Sequence, residues 1–106
     1  MTTQPALVLH PDAAQDIYDI CEFISVENRA AARRIREEIV EAIRRLVPFP
    51  LQGHSRPDLT SRPLRFRSLR DYLIAYAPDE KPLLIVVVLH GRRSPRIIAA
   101  LLRERG

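Results

Sequence analysis

Eight consecutive residues, Leu83-Leu84-Ile85-Val86-Val87-Val88-Leu89-His90, carry no charge, and three of them in a row are valine. A helical membrane span takes about 20 apolar residues, so this run is too short to be one. β-Branched side chains favour extended backbone, and a strand without polar alternation is one buried on both faces. The segment therefore reads as the central strand of a sheet, and the rest of the chain must supply its neighbours.

Upstream, Leu7-Val8-Leu9-His10 is a short apolar run stopped by Pro11, a first strand of about four residues. Asp12 with Gln15 three residues later has the spacing of a capping box. Ile17, Ile20, Cys21 and Ile24 then fall on one face at helical spacing, opposite Gln15, Asp19 and Glu22. The period breaks around Ser25 to Asn28. Asn28 can cap a second helix from about Arg29 to Val47, whose buried side is Ala32, Ile35, Ile39, Ala42, Ile43 and Leu46. Arg33 with Glu37, Arg34 with Glu38 and Glu41 with Arg45 stand at i,i+4 spacing on its solvent side. The two helices form an αα-hairpin.

Pro48 and Pro50 end the second helix, and the sixteen residues from Pro48 to Pro63 hold four prolines and Gly53. A loop this long inside a domain is either functional or locally packed. From Leu64 the period becomes two: Leu64 and Phe66 alternate with Arg65 and Arg67, and Tyr72, Ile74 and Tyr76 with Leu73, Ala75 and Ala77. These are two strands turning at Arg70-Asp71. Pro78-Asp79-Glu80-Lys81-Pro82 is a second turn, leading into the central strand. After Gly91, Ser94 and Pro95 make an N-cap and N1 pair for a short helix with Ile97, Ile98, Leu101 and Leu102 on one face. The order β-α-α-β-β-β-α predicts an α+β fold: a mainly antiparallel four-stranded sheet with the helical hairpin on one face and a short C-terminal helix. The other face is expected to display Arg65 and Arg67. At 106 residues, with 46% hydrophobic and 28% charged content, the expectation is one globular domain over residues 1–106. No targeting segment or membrane span is read from the sequence, so a cytoplasmic location is expected.

The net charge of +4 comes almost wholly from arginine, and it is uneven. Residues 1–53 hold six basic and eight acidic side chains, and residues 54–106 eleven basic and five acidic. The second half thus carries a positive field suited to an acidic partner. His10, His54 and His90 lack metal-ligand spacing. Three glycines, at 53, 91 and 106, make no phosphate loop. Cys21 lies on the apolar face of the first helix and reads as an inert buried thiol. No metal and no cofactor are expected. What remains is arginine: Arg65, Arg67 and Arg70 on or after one strand, Arg92, Arg93 and Arg96 after the central one. Antiparallel pairing can gather them into a guanidinium cluster for phosphates or carboxylates, and a charged, solvated sheet edge is the plainer alternative.

Taken in order, Asp12-Ala13-Ala14-Gln15-Asp16-Ile17 with Ile20 and Phe23-Ile24, Ala31-Ala32 with Ile35, Leu46 with Pro48 and Gly53, Leu64-Arg65, Tyr72 with Ile74 and Tyr76, and Val88-Leu89-His90-Gly91-Arg92-Arg93 resemble the ParE/RelE superfamily of type II toxins, also called plasmid stabilisation proteins. The resemblance implies a toxin held inactive by a protein antitoxin, ParD-like and encoded beside it. It also implies one of two activities. RelE-like members are ribosome-dependent messenger RNA endoribonucleases, typically with a tyrosine or histidine in the terminal helix as acid or base; ParE-like members bind and poison DNA gyrase. Here the segment Ser94 to Leu102 contains neither residue, and the position where RelE-like chains place tyrosine falls near Ala99, whose methyl moves no proton. The ParE-like branch is therefore favoured, with no catalytic residue and a target-binding surface assigned to Arg65, Arg67, Arg70, His90, Arg92 and Arg93. On the ribonuclease alternative, His90 would be the candidate base.

Overall fold

A computed structural model describes residues 5–106. The elements are β1 (Leu7–Leu9), α1 (Pro11–Ser25), α2 (Arg29–Arg44), β2 (Arg65–Leu69), β3 (Tyr72–Ala77), β4 (Leu83–His90) and α3 (Pro95–Glu104), the α+β order that the periodicities imply. The sheet order is β1-β4-β3-β2. β4 lies between β1, which runs parallel to it, and β3, which runs antiparallel.

Helix α1 starts differently from the expected capping box. His10, not Asp12, is the N-cap, and its Nδ1 accepts from the Asp12 N–H at 3.0 Å. Pro11 takes the first helical position, where its missing N–H costs nothing. Gln15 turns along the helix and donates to Asp19 at 2.8 Å. Helix α2 is capped as expected, the Asn28 side chain accepting from Ala31 N–H at 2.9 Å. It ends at Arg44, earlier than Val47, although Leu46 in the following turns is still fully buried. Of the three i,i+4 pairs, only Glu41–Arg45 closes, at 3.2 Å. Glu38 instead accepts from Arg70 of the β2–β3 turn at 2.9 Å, a partner that helix spacing could not show.

The long loop is packed against the sheet. Tyr76 on β3, with no solvent exposure, donates its hydroxyl proton to Pro50 C=O at 2.7 Å and accepts from Gly53 N–H at 2.9 Å. A Cβ at residue 53 would meet the Tyr76 hydroxyl at 2.8 Å and the Phe66 carbonyl at 2.9 Å, so only glycine allows this approach. His54 bridges to Phe66 through two backbone hydrogen bonds, and Leu59 is buried.

Both faces of β4 are covered. On one, Ile74, Tyr76, Leu83, Ile85 and Val88 pack with Ala13 and Ile17 of α1 and Ile39, Ala42 and Ile43 of α2. On the other, Leu73, Ala75, Val86, Val87 and Leu89 pack with Ile98 and Leu102 of α3 and with Leu59, Leu64 and Phe66. A register shift makes this possible: Tyr76 pairs with Ile85 but Ala75 with Val87, so Val86 is an inserted residue. At such a bulge the alternation slips by one, and Val86 and Val87 both face α3.

This arrangement corrects the expected arginine-bearing open face. α3 and the loop cover the sheet opposite the hairpin, and Phe66 of β2 points into that second core. Arg65 and Arg67, out of phase with Phe66, must therefore lie on the hairpin side of an edge strand. Their neighbour Leu69, in phase with them, packs against the hairpin core. Among the described residues, no helix is long and apolar enough to cross a membrane.

Candidate functional site

The six residues assigned to target binding divide into two groups. Across the sheet, Arg65 stands opposite Tyr76, which stands opposite Ile85, whereas His90 stands opposite Tyr72, which stands opposite Leu69. Four residues of β3 separate the two rows, roughly 13 Å at ~3.3 Å per residue, and Arg67 lies between them in the row of Ile74 and Val88.

The first group is Arg65 and Arg67, and both are fastened to the loop. Arg65 donates to Gly53 C=O at 2.7 Å and Leu51 C=O at 3.3 Å. Arg67 donates to the Gln52 side-chain oxygen at 3.0 Å, while the Gln52 amide donates to Arg45 and Phe49 carbonyls. Beside them the loop exposes Phe49 and Leu51. Charge and apolar surface thus lie next to each other on a segment held by the Tyr76 hydroxyl.

The second group is Arg70, His90, Arg92 and Arg93. Arg70 occupies the two-residue β2–β3 turn with φ 52°, a left-handed conformation uncommon outside glycine. Its Glu38 partner holds its guanidinium pKa above the usual value. Arg70 and Arg92 share a hollow of about 260 Å³ with Arg56, Ser68 and Asp71. His90 ends β4 half-buried, its ring edge-on to Tyr72 with centroids 5.5 Å apart. Its Nδ1 accepts from the Arg92 N–H at 3.2 Å. Burial, with smaller contributions from Asp71 and Cys21, pushes the Tyr72 phenol above its ordinary pKa. Arg92 and Arg93 make no ion pair among the described residues.

Between α1, the end of β4 and α3 runs a groove of about 580 Å³. Its apolar lining includes Ile20, Phe23, Ile24, Leu89 and Leu101; its polar lining includes Asp16, His90, Arg93 and Arg105. Sequence reasoning missed the pair that holds this region together. Arg105 grips Asp16 with two guanidinium hydrogen bonds, one of them 2.9 Å long, and donates to Val86 C=O at 3.1 Å. Asp16 in turn accepts from Val88 N–H at 3.0 Å. The side chains are 10% and 19% exposed, so the bidentate pair is worth more than a surface contact. Eighty-nine residues separate the partners. Arg62 fastens the same helix, donating to the Leu102 and Arg105 carbonyls at 2.7 Å each.

Cys21 is partly buried, and that burial raises its thiol pKa despite the opposing Arg36 charge. Among the described residues no three His, Cys, Asp or Glu side chains converge on a point where a metal could sit.

The geometry is that of a basic, antiparallel-rich sheet carrying an αα-hairpin. The sequence profile of the ParE toxin of the type II toxin-antitoxin system, parDE, matches residues 7–95. The chain belongs to this ParE family. Membership carries with it a role as the toxin of a type II pair and an antitoxin as partner. No curated protein matches the sequence significantly. In this ParE-family chain the match takes in both arginine groups and ends at Pro95, the first residue of α3. The helix that closes the second core therefore lies almost entirely outside the matched span.

Proposed function

We propose that this toxin acts on DNA gyrase by binding, in the cytoplasm, and that a ParD-type antitoxin neutralises it. The observation that carries this reading is the chemistry around the arginines. α3 has no tyrosine or histidine, and its buried face is Ile98 and Leu102. Guanidinium groups stay protonated at neutral pH, so they bind anions and carbonyls well and move protons poorly. His90 spends one ring nitrogen on the Arg92 N–H, and Tyr72 is a half-buried phenol with a raised pKa. A binding protein needs only the charge and shape. Arg70, Arg92 and Arg93 form one contact group beside His90, and Arg65 and Arg67 a second beside Phe49 and Leu51.

Two assays run in parallel decide the matter: gyrase supercoiling and DNA cleavage, and cleavage of messenger RNA on programmed ribosomes. Gyrase inhibited or poisoned with intact message is the expected result. Codon-positioned cuts with gyrase unaffected would overturn it and make His90 the candidate base.

A further inference from the structure

Between the long loop and the β3–β4 turn lies a hollow of about 490 Å³, lined by Arg56, Arg62 and Arg65 and by the hydroxyls of Ser55, Thr60 and Ser61. The backbone under these side chains is fixed. Leu59 N–H and Thr60 N–H donate to Arg56 C=O at 2.9 and 3.1 Å, and Leu64 N–H to Arg62 C=O at 2.7 Å. Leu59 and Leu64 are both buried and anchor the segment. Thr60 Oγ1 accepts from Arg62 N–H at 3.1 Å, which leaves the hydroxyl proton to donate elsewhere.

The three arginines are held differently. Arg56 grips both oxygens of Asp58 with its Nε and Nη2, at 3.0 and 2.8 Å. Arg62 makes both of its guanidinium hydrogen bonds through Nη1, to the Leu102 and Arg105 carbonyls, and Arg65 likewise to the Gly53 and Leu51 carbonyls. On Arg62 and Arg65 the Nε and Nη2 edge, the one Arg56 uses on a carboxylate, has no protein partner among the described residues. None of these atoms is sealed from solvent. Carbonyls fix the direction of a guanidinium without cancelling its charge. Arg62 and Arg65 are half-buried, and neither has an acidic partner among the described residues. Asp79, the one acid in the lining, is exposed and pairs with neither. A cation stripped of part of its water without a counter-ion costs free energy, and an arriving anion recovers it.

A carboxylate has two oxygens and satisfies one guanidinium edge. Two edges with hydroxyls beside them match the tetrahedral oxygens of a phosphate. The apolar side chains of Leu51, Pro63 and Pro78 complete the lining, and a hollow of this volume suits a small organic ligand rather than a bare ion. We propose that this hollow binds a small phosphomonoester, its phosphate on the free edges of Arg62 and Arg65 with Thr60 and Ser61, its organic part against Leu51, Pro63 and Pro78. Two uncompensated cations favour the dianion of a monoester over the single charge of a nucleic-acid diester. The site does not depend on which target the toxin acts on. Because Arg62 also holds the carbonyls at the end of α3, ligand binding stabilises the folded chain by mass action.

The test titrates the full-length chain calorimetrically with phenyl phosphate, with inorganic phosphate and with a short single-stranded oligonucleotide lacking terminal phosphates. Phenyl phosphate binds one to one with a dissociation constant below about 1 mM and raises the melting temperature as its concentration grows. Arg62→Gln weakens it at least tenfold. Ser61→Asp, at an exposed position, does the same by placing a carboxylate in the hollow, and leaves the melting temperature of the free chain unchanged. Arg33→Ala, exposed on α2 outside the hollow, leaves binding as it was. No binding at millimolar phenyl phosphate overturns the proposal, and so does equal weakening by Ser61→Asp and Arg33→Ala, the mark of a diffuse basic surface. Inorganic phosphate bound as tightly as phenyl phosphate overturns the monoester in favour of the bare ion. Tighter binding by the oligonucleotide overturns it in favour of a nucleic-acid backbone.

Discussion

Replacing Tyr76 by Phe removes one oxygen atom and opens no cavity in the ring's packing. That oxygen is the centre of two hydrogen bonds, to Pro50 C=O at 2.7 Å and from Gly53 N–H at 2.9 Å. The Gly53 bond is buried, and the contacts around that glycine leave no room for a replacement water. A buried donor left unpaired costs about 1–3 kcal/mol, while the partly exposed Pro50 carbonyl can recover a water and adds less. The expected loss is about 2 kcal/mol, or roughly 8–16 °C in melting temperature for a domain of this size. Chemical denaturation followed by far-ultraviolet circular dichroism measures it. Gly53→Ala, which drives a methyl against the same hydroxyl and the rigid Phe66 carbonyl, should cost about 1–3 kcal/mol. Because part of that clash is with the hydroxyl itself, the double variant should lose less than the two single losses combined. A Tyr76→Phe protein within about 0.5 kcal/mol of the parent, or strict additivity, would refute the idea that this oxygen holds the loop and, through Gly53 C=O, Arg65.

Arg105→Ala should destabilise the chain by about 1.5–3 kcal/mol, because Asp16 and Val86 C=O lose a guanidinium partner in a mostly buried position; urea midpoints measure this. Arg92→Ala should weaken target inhibition with no change in urea midpoint, whereas Arg65→Ala should lower both, since Arg65 also ties the loop; supercoiling assays beside melts separate the two effects. Ile85→Asp or Val87→Asp should prevent folding, as both side chains are sealed in opposite cores; soluble yield and the circular dichroism spectrum report it. Burial raises the pKa of the Cys21 thiol and of the Tyr72 and Tyr76 phenols, so above pH 9 the folded chain holds protons that the unfolded chain releases. That contribution is complete below the ordinary thiol value and is lost as pH rises through the raised ones; denaturation midpoints should therefore fall as pH rises above 9.

Local pattern was enough for the element order, the central place of β4, the Asn28 and Ser94 caps, the two-residue turn at Arg70-Asp71 and the family, because each depends on neighbours within one or two turns of chain. It was not enough for orientation. Period-two alternation shows that Arg65 and Arg67 share a side of β2, but which side was decided by Phe66, drawn into the core that α3 and Leu59 complete. The bulge at Val86 leaves no mark in a run of three valines, yet it turns two successive side chains to one face and presents the Val88 N–H to Asp16 of α1. Glu38 meets Arg70 rather than Arg34, and Arg105 meets Asp16 across 89 residues, because such partners are set by how the chain closes on itself. Sequence by itself determined what each segment is, since propensity and periodicity are local. Only the tertiary structure decided which faces meet and which edge stays open, since pairing register and chain closure join residues that no short-range pattern connects.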